Sequence, residues 1–226
     1  FEKQEHFDRF SFYNGDCMQL LKQTPDKYYD LAIVDPPYGI GAAKMNLGKG
    51  GGVAKSNNHK KKDWDSETPT MDYFNELFRV SKNQIIWGGN YFDLPKTKGW
   101  IVWKKMDIKN DFNPLEMAWT SDLKMGFLDY LWCGMWQENM KDKEKRIHPT
   151  QKPVDLYDWI LSRYSKPDFK ILDTHLGSGS IALAIDKANK LDNMNLEFVG
   201  IELDEEYFDA SLKRFRLNHC QTTIFD

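Results

Sequence analysis

Leu31-Ala32-Ile33-Val34 is an uninterrupted apolar run that stops on Asp35-Pro36-Pro37-Tyr38-Gly39. A run with no polar alternation reads as a strand buried on both faces, the mark of a parallel sheet covered by helices. Two prolines directly after it break the strand, since each fixes φ and removes an N–H donor. The chain is thereby directed to an α/β sheet with a polar strand end, and ligands in such sheets bind just beyond the C-terminal ends of the strands. Asp35 and Pro36 then offer a carboxylate and a carbonyl, both acceptors, to that space. Acceptors so placed suit an amine or amide nitrogen bearing two hydrogens, with the Tyr38 ring stacked on the flat group that carries it. Taken alone, a strand-end turn with Asp35 as cap and Tyr38 as core filler fits the same residues equally well.

The flanking segments supply the rest of the sheet. Residues 11–13 form a short strand ending at Asn14-Gly15-Asp16, Met18, Leu20 and Leu21 follow at helical spacing, and 28–34 is the next strand. Thr68 caps a helix with Pro69 at its first position, and short strands are expected at 83–87, 100–103, 115–119 and 127–132. A helix over 154–164, a strand at 171–172, a helix at 181–188, a strand at 198–201 and a last helix over 204–217 complete an α/β fold. The count is about seven strands, mostly parallel, with helices on both faces. A length of 226 residues suits one domain over 1–226. Between 40 and 69 the periodicity lapses into glycines and Lys44, Lys49, Lys55, Lys60, Lys61 and Lys62. A loop this long is either a functional segment that meets a polyanion or a solvated connection, and the two readings stand level.

Composition narrows the class. With 41% hydrophobic and 14% aromatic residues the chain is a folded one rather than a disordered one. No apolar run approaches the roughly 18 residues of a membrane span, and no signal-peptide pattern opens the chain. A net charge of −3 gives no global attraction to nucleic acid, so any such contact must come from local clusters. Cys17, Cys133 and Cys220 stand at neither metal nor redox spacing, which argues against disulfides and a metal site and for a reducing cytoplasm. The chain opens on Phe1 rather than Met, so further residues are expected ahead of it.

The second chemical signal is Ile171-Leu172-Asp173-Thr174-His175-Leu176-Gly177-Ser178-Gly179-Ser180, a glycine loop between a strand and a helix. The glycines allow close backbone approach and the helix N-terminus offers free N–H groups. Glu202 ends the next strand, roughly 20 residues beyond Gly179, where an acidic side chain meets ribose hydroxyls. The pattern is adenosine-shaped and by itself fits a dinucleotide as well as other cofactors. Asp173 at the strand end favours a cofactor with a cationic amino-acid tail, because a carboxylate would repel a pyrophosphate. S-adenosyl-L-methionine has that tail and a sulfonium. Counted from the glycine loop, the strand at Glu202 is second and nothing follows it as third; the strand at 12–14, with Asp16 and Cys17 after it, takes that place and the Asp35 strand is fourth. The sheet is expected to be circularly permuted.

In this order the chain resembles the permuted, beta-class DNA amino-methyltransferases, which methylate adenine N6 or cytosine N4. Asn14-Gly15-Asp16-Cys17 is similar to the family's third cofactor motif, Asp35-Pro36-Pro37-Tyr38 to its catalytic motif, and Arg146-Ile147-His148-Pro149-Thr150-Gln151-Lys152-Pro153 to the motif packed over the methionine moiety. Asp173 to Ser180 and Glu202 correspond to the remaining two. The resemblance implies catalytic roles for Asp35, Pro36, Pro37 and Tyr38. It implies binding of S-adenosyl-L-methionine by Asp16, Cys17, Asp35, His148, Pro149, Thr150, Gln151, Lys152, Asp173, Leu176, Gly177, Ser178, Gly179 and Glu202. Double-stranded DNA is the implied partner, a homodimer is among the assemblies it allows, and the lysines of the 44–62 loop, with Lys141, Lys143, Lys145 and Arg146, are expected phosphate contacts. A small target-recognition insertion is expected around 120–147. Thr174-His175 departs from the family's usual Pro-Phe. The implied activity is adenine-N6 methylation; cytosine N4, where Ser more often replaces Asp35, and RNA or protein-amide methylation are the alternatives, with a hydride-transfer enzyme less well matched.

Overall fold

The computed structural model of the protein describes residues 1–40, 68–106, 113–133 and 136–221. Nine strands form one sheet in the order β1-β2-β11-β10-β3-β4-β6-β5-β7. In chain order these are β1 (Lys3–Phe7), β2 (Phe10–Asn14), β3 (Tyr29–Val34), β4 (Ser81–Trp87), β5 (Gly99–Lys104), β6 (Leu115–Thr120), β7 (Gly126–Asp129), β10 (Lys170–Asp173) and β11 (Glu197–Glu202). A separate two-stranded hairpin joins β8 (Trp132–Cys133) to β9 (Trp136–Gln137). The helices are α1 (Cys17–Leu21), α2 (Met71–Val80), α3 (Val154–Tyr164), α4 (Ser180–Asp192) and α5 (Glu205–Gln221).

The centre of the sheet, β2-β11-β10-β3-β4, is parallel throughout. In it the strand from the N-terminal part of the chain lies beside β11, which makes the permuted order explicit. Side chains alternate across the sheet with period two, and two cores result. Leu31, Ile33, Ile85 and Ile171 face Leu156, Ile160, Ile181, Ile185, Phe208 and Phe215 of α3, α4 and α5. Ala32, Val34, Ile86, Leu172 and Ile201 face Leu21 of α1 and Tyr73, Phe74, Leu77 and Val80 of α2. Helices therefore cover both faces, and the apolar run 31–34 is buried on both sides as its composition requires.

Several boundaries differ from the sequence expectation. Strand β1 was not foreseen: its burial pattern alternates without a fully buried residue, and it is held by antiparallel pairing with β2, Glu5 opposite Phe12. The run 127–132 divides, because β7 pairs with β5 whereas Trp132 turns away into the β8–β9 hairpin. Helix α2 starts two residues later than Thr68 and Pro69 suggest, with Thr70 as N-cap. Among the described residues the main sheet thus has nine strands rather than about seven. Residues 44–62 lie outside the described residues. No described helix is long and apolar enough to cross a membrane.

Candidate active site

Parallel pairing brings the tips of β2, β11, β10 and β3 to one edge. Ile171 and Leu172 of β10 are in register with Leu31 and Ala32 of β3, so Asp173 and Asp35 emerge from neighbouring strand ends. Glu202 emerges from β11, in register with Asn14. Asn14 is fully buried, and its Nδ2 donates to the carbonyls of Glu202 (2.9 Å) and Leu203 (3.2 Å), which holds the two tips together. Asp16 caps α1 by accepting the Met18 N–H at 2.9 Å. Burial, aided by the Asp16 charge, pushes the Cys17 thiol up to about 12, so Cys17 stays a neutral packing residue.

The glycine loop lies over the Glu202 tip. Glu202 Oε2 accepts the Gly177 N–H at 2.7 Å and Oε1 the Asp204 N–H at 2.9 Å. Leu176 N–H donates to the Ile201 carbonyl, and Gly179, at φ +69°, turns the chain into α4. That left-handed φ favours glycine. Asp173 Oδ1 accepts the His175 N–H at 2.9 Å. Burial, with Asp35 and Glu202 nearby, nevertheless raises the Asp173 carboxyl to about 8. Burial also raises the Glu202 carboxyl. The Thr174-His175 departure is absorbed locally: Tyr73 OH and Thr174 Oγ1 are 2.7 Å apart, Thr174 Oγ1 and His175 Nδ1 are 2.9 Å apart, and burial lowers the His175 imidazole to about 4.

At the β3 tip, the segment 148–152 closes on Asp35. Lys152 Nζ donates to Asp35 Oδ2 at 2.5 Å and lies 3.3 Å from Glu116 Oε2. Tyr38 OH donates to Asp35 Oδ1 at 2.6 Å. The β3 tip is therefore not a set of bare acceptors, as its residues suggested; an ammonium and a phenol have been brought to it from outside and from within the turn. Lys152 is 5% exposed, with Nζ 5.1 Å from the centre of the Trp87 ring. Burial alone would lower its pKa, but Asp35 and Glu116 outweigh that and raise it. Burial likewise would raise Glu116, and the flanking Lys152 and Lys105 pull its carboxyl down to about 2 instead. Tyr38 packs against Tyr91, rings parallel within 12° and centroids 5.1 Å apart. Pro36 is buried and Pro37 half-buried in the same turn.

His148 is buried with its ring 4.3 Å from that of Tyr207, and its Nδ1 is 3.2 Å from Thr150 Oγ1. A Cβ on Gly177 would sit 3.8 Å from His148 Nδ1, so the glycine loop and the 148–152 segment face one another. Gln151 Oε1 accepts the Ile147 N–H at 2.9 Å, its carbonyl accepts Trp132 Nε1–H at 2.7 Å, and Pro149 and Pro153 bracket the turn into α3. Arg146 does not project among the exposed Lys141 and Lys145: its guanidinium lies 4.6 Å over the Trp132 ring, with Nε and Nη2 enclosed and without hydrogen-bond partners among the described residues. Sequence reasoning missed Glu116, Tyr91, Glu144 and Arg214, none of which carries a local signature.

Residues 93–213, over half of the chain, match a family described as DNA methylase, covering adenine-N6 and cytosine-N4 enzymes in its label. Among curated relatives, the Type II methyltransferase M.HinfI of Haemophilus influenzae is 27% identical, over 89% of this chain and 67% of its own length. The Type II methyltransferase M2.MboI of Moraxella bovis is 22% identical, over 91% of this chain and 87% of its own. Similar solved folds include the M1.HpyAVI-SAM complex (TM-score 0.53, 20% identity, 91% of this chain and 99% of that one). The PvuII cytosine-N4-specific DNA methyltransferase is similar too (TM-score 0.55, 13% identity, 97% of this chain and 94% of that one). The fold is thus that of the S-adenosyl-L-methionine-dependent DNA methyltransferases, and the chain belongs to the N6/N4 DNA methylase family.

Proposed function

We propose that the protein is a DNA adenine-N6 methyltransferase with S-adenosyl-L-methionine as cofactor. The observation that carries this reading is the Lys152–Asp35 contact, which joins the Asp-Pro-Pro-Tyr turn to the His-Pro-Thr-Gln-Lys-Pro segment at the strand edge that also bears Asp173 and Glu202. The donor set fits the cofactor: the Asp173 carboxyl, which ionises beside a cation, suits an ammonium tail, and the Glu202 oxygens suit ribose hydroxyls. Each Glu202 oxygen has a further lone pair beyond the backbone N–H it already accepts. Asp16, Cys17, Leu176, Ser178 and residues 148–151 line or support the same edge. The bound cofactor supplies a methyl group on a sulfonium.

The chain's own residues prepare the acceptor. The exocyclic amine of a base is a weak nucleophile because its lone pair is delocalised into the ring. Asp35 and the Pro36 carbonyl accept the two amine hydrogens and thereby draw the nitrogen towards a tetrahedral shape, an electrostatic and orientational contribution. Lys152 donates to Asp35 Oδ2 and fixes the orientation of the carboxylate for this work. The Tyr38 hydroxyl on Asp35 Oδ1 yields its place to the amine hydrogen. Because burial and the Asp35 charge raise its pKa, Tyr38 stays a phenol throughout. The target atom is inaccessible in a duplex, so the base is flipped out at a cost of a few kcal/mol, which stacking on Tyr38 offsets by about 1–3 kcal/mol. Asp35 holds and orients; the surplus proton departs to solvent after transfer. The lysines at 141, 143 and 145 and those at 44–62 are the phosphate contacts in this reading, residues 120–147 are the target-recognition element, and a restriction-modification role follows the Type II relatives.

Asp35 favours adenine over cytosine, since the resemblance associates Ser at that position with cytosine N4. The test is incubation of the protein with methyl-labelled S-adenosyl-L-methionine and separate DNA, RNA and protein pools, then nucleoside chromatography of the DNA. Label in N6-methyldeoxyadenosine is expected, abolished in Asp35→Ala while S-adenosylhomocysteine still binds. Label in N4-methyldeoxycytidine, RNA or protein overturns the reading.

A further inference from the structure

Two loops flank the proposed cofactor pocket, 174–180 and 144–153, and one ion pair joins them. Arg214 of α5 donates through Nη1 to the Ser178 carbonyl (3.0 Å) and Ser180 Oγ (2.9 Å), and through Nη2 to Glu144 Oε2 (2.5 Å). The other Glu144 oxygen accepts the N–H of Val154, the first residue of α3, at 2.8 Å. Pro153 precedes it as N-cap with no side-chain acceptor, so Glu144 caps α3 from ten residues away. The Glu144 backbone is bracketed by one side chain: its N–H donates to Gln137 Oε1 and its carbonyl accepts from Gln137 Nε2, both at 2.9 Å. The pair is largely enclosed, with side-chain exposures of 12% for Arg214 and 22% for Glu144. Helix α5 also places Tyr207 against His148.

We infer that Glu144 and Arg214 are positioning residues that set the spacing between the glycine loop and the His148–Lys152 segment, and through it the affinity for the adenosyl cofactor. The inference rests on the cofactor reading above and deepens it. Neither side chain meets the reacting atoms. Helices α3, α4 and α5 are already fixed by their apolar faces, with Leu156, Ile160, Ile181, Ile185 and Phe208 buried, so the scaffold survives loss of the pair. The loops are anchored in the apolar core by Leu176 and against Tyr207 by His148, and between those anchors and Arg214 the polar contacts above set the position of Ser178 and Glu144. A misplacement of about 1 Å in a supporting contact can cost up to roughly 100-fold in binding or turnover.

The test is calorimetric titration of the full chain with S-adenosylhomocysteine, together with steady-state KM for cofactor and kcat on DNA. The variants are Arg214→Ala, Arg214→Lys, Glu144→Gln and the Glu144→Gln/Arg214→Ala double. The expected result is a loss of cofactor affinity of about tenfold or more in Arg214→Ala, with a matching rise in KM and kcat at saturating cofactor nearly unchanged. Arg214→Lys should recover part of the loss, and the double variant should bind no worse than the weaker single. Unchanged affinity, a fall in kcat alone, or additive losses overturn the inference; if Arg214→Ala does not fold, the two milder variants decide it by the same criteria. Failure of the unsubstituted protein to bind S-adenosylhomocysteine at all would instead remove the cofactor reading and this inference with it.

Discussion

Lys152 Nζ sits 2.5 Å from Asp35 Oδ2 across 117 residues of sequence. Glu116 Oε2 lies on its other side at 3.3 Å, so one ammonium is shared between two carboxylates. Removing one partner of an enclosed pair leaves the other charge uncompensated, which costs roughly 3–5 kcal/mol. Lys152→Met is therefore expected to lower the urea midpoint by about that much stability and to reduce methyl transfer at permissive temperature. A variant as stable as the parent would show that the ammonium does not compensate these carboxylates.

Glu116 gives this network a pH signature. Its folded-state pKa, about 2, is below the ordinary glutamate value, so its contribution to stability is present above about pH 4.5 and is lost as pH falls towards 2. The size is about 3 kcal/mol at most. Urea unfolding between about pH 6 and about pH 2.5 should show a steeper acid loss in the parent than in Glu116→Gln, which starts lower at neutral pH. Parallel curves would refute the assignment.

Much of this site was readable in the sequence for a definite reason. Asp35, Asp173 and Glu202 each end a strand, and a parallel sheet puts such ends on one edge whatever the connections do. The permuted order was readable for the same reason, since strand ends and glycine loops are local features. Glu116, Glu144 and Arg214 were not readable. Glu144 and Arg214 meet across 70 residues, and a Glu amid lysines or an Arg beside Lys213 and Arg216 on α5 resembles any solvated charge. Arg146 was misleading in the opposite sense: a basic run suggests solvent and phosphate, whereas Trp132 covers its guanidinium. Strand β1 escaped because its pairing with β2, rather than its own hydrophobicity, makes it a strand.

Gly88 follows β4 beneath the Tyr38 ring. Its φ is +66°, and a Cβ there would lie 2.2 Å from Tyr38 Cε1. Gly88→Ala thus meets both a conformational penalty and a ring backed by Tyr91. A destabilisation of roughly 1–3 kcal/mol is expected, with a loss of DNA methylation larger than stability accounts for, because the Tyr38 ring that stacks on the flipped base must shift. Circular dichroism melts alongside a methylation assay below the melting range separate the two effects. Full activity in a folded Gly88→Ala protein would show that the Tyr38 position is not critical.

Asp173 links cofactor binding to protons. Burial, with Asp35 and Glu202 nearby, raises its carboxyl to about 8, so in the free protein it is protonated at neutral pH. The sign for stability is the reverse of that for Glu116: the raised pKa favours the folded state at low pH, and this contribution fades as pH rises from about 4 through about 8. A cofactor cation beside Asp173 favours the carboxylate, so binding below pH 8 must expel a proton. Affinity for S-adenosylhomocysteine should therefore rise with pH between about 6 and about 7.5, below the range in which the ligand's own amino group titrates, by up to about tenfold per unit. Calorimetry in two buffers of different ionisation enthalpy should register proton release, and Asp173→Asn should bind without either effect. If the parent releases no proton, the cofactor's charged tail does not lie against Asp173, and the assignment of that strand end to the ammonium is wrong.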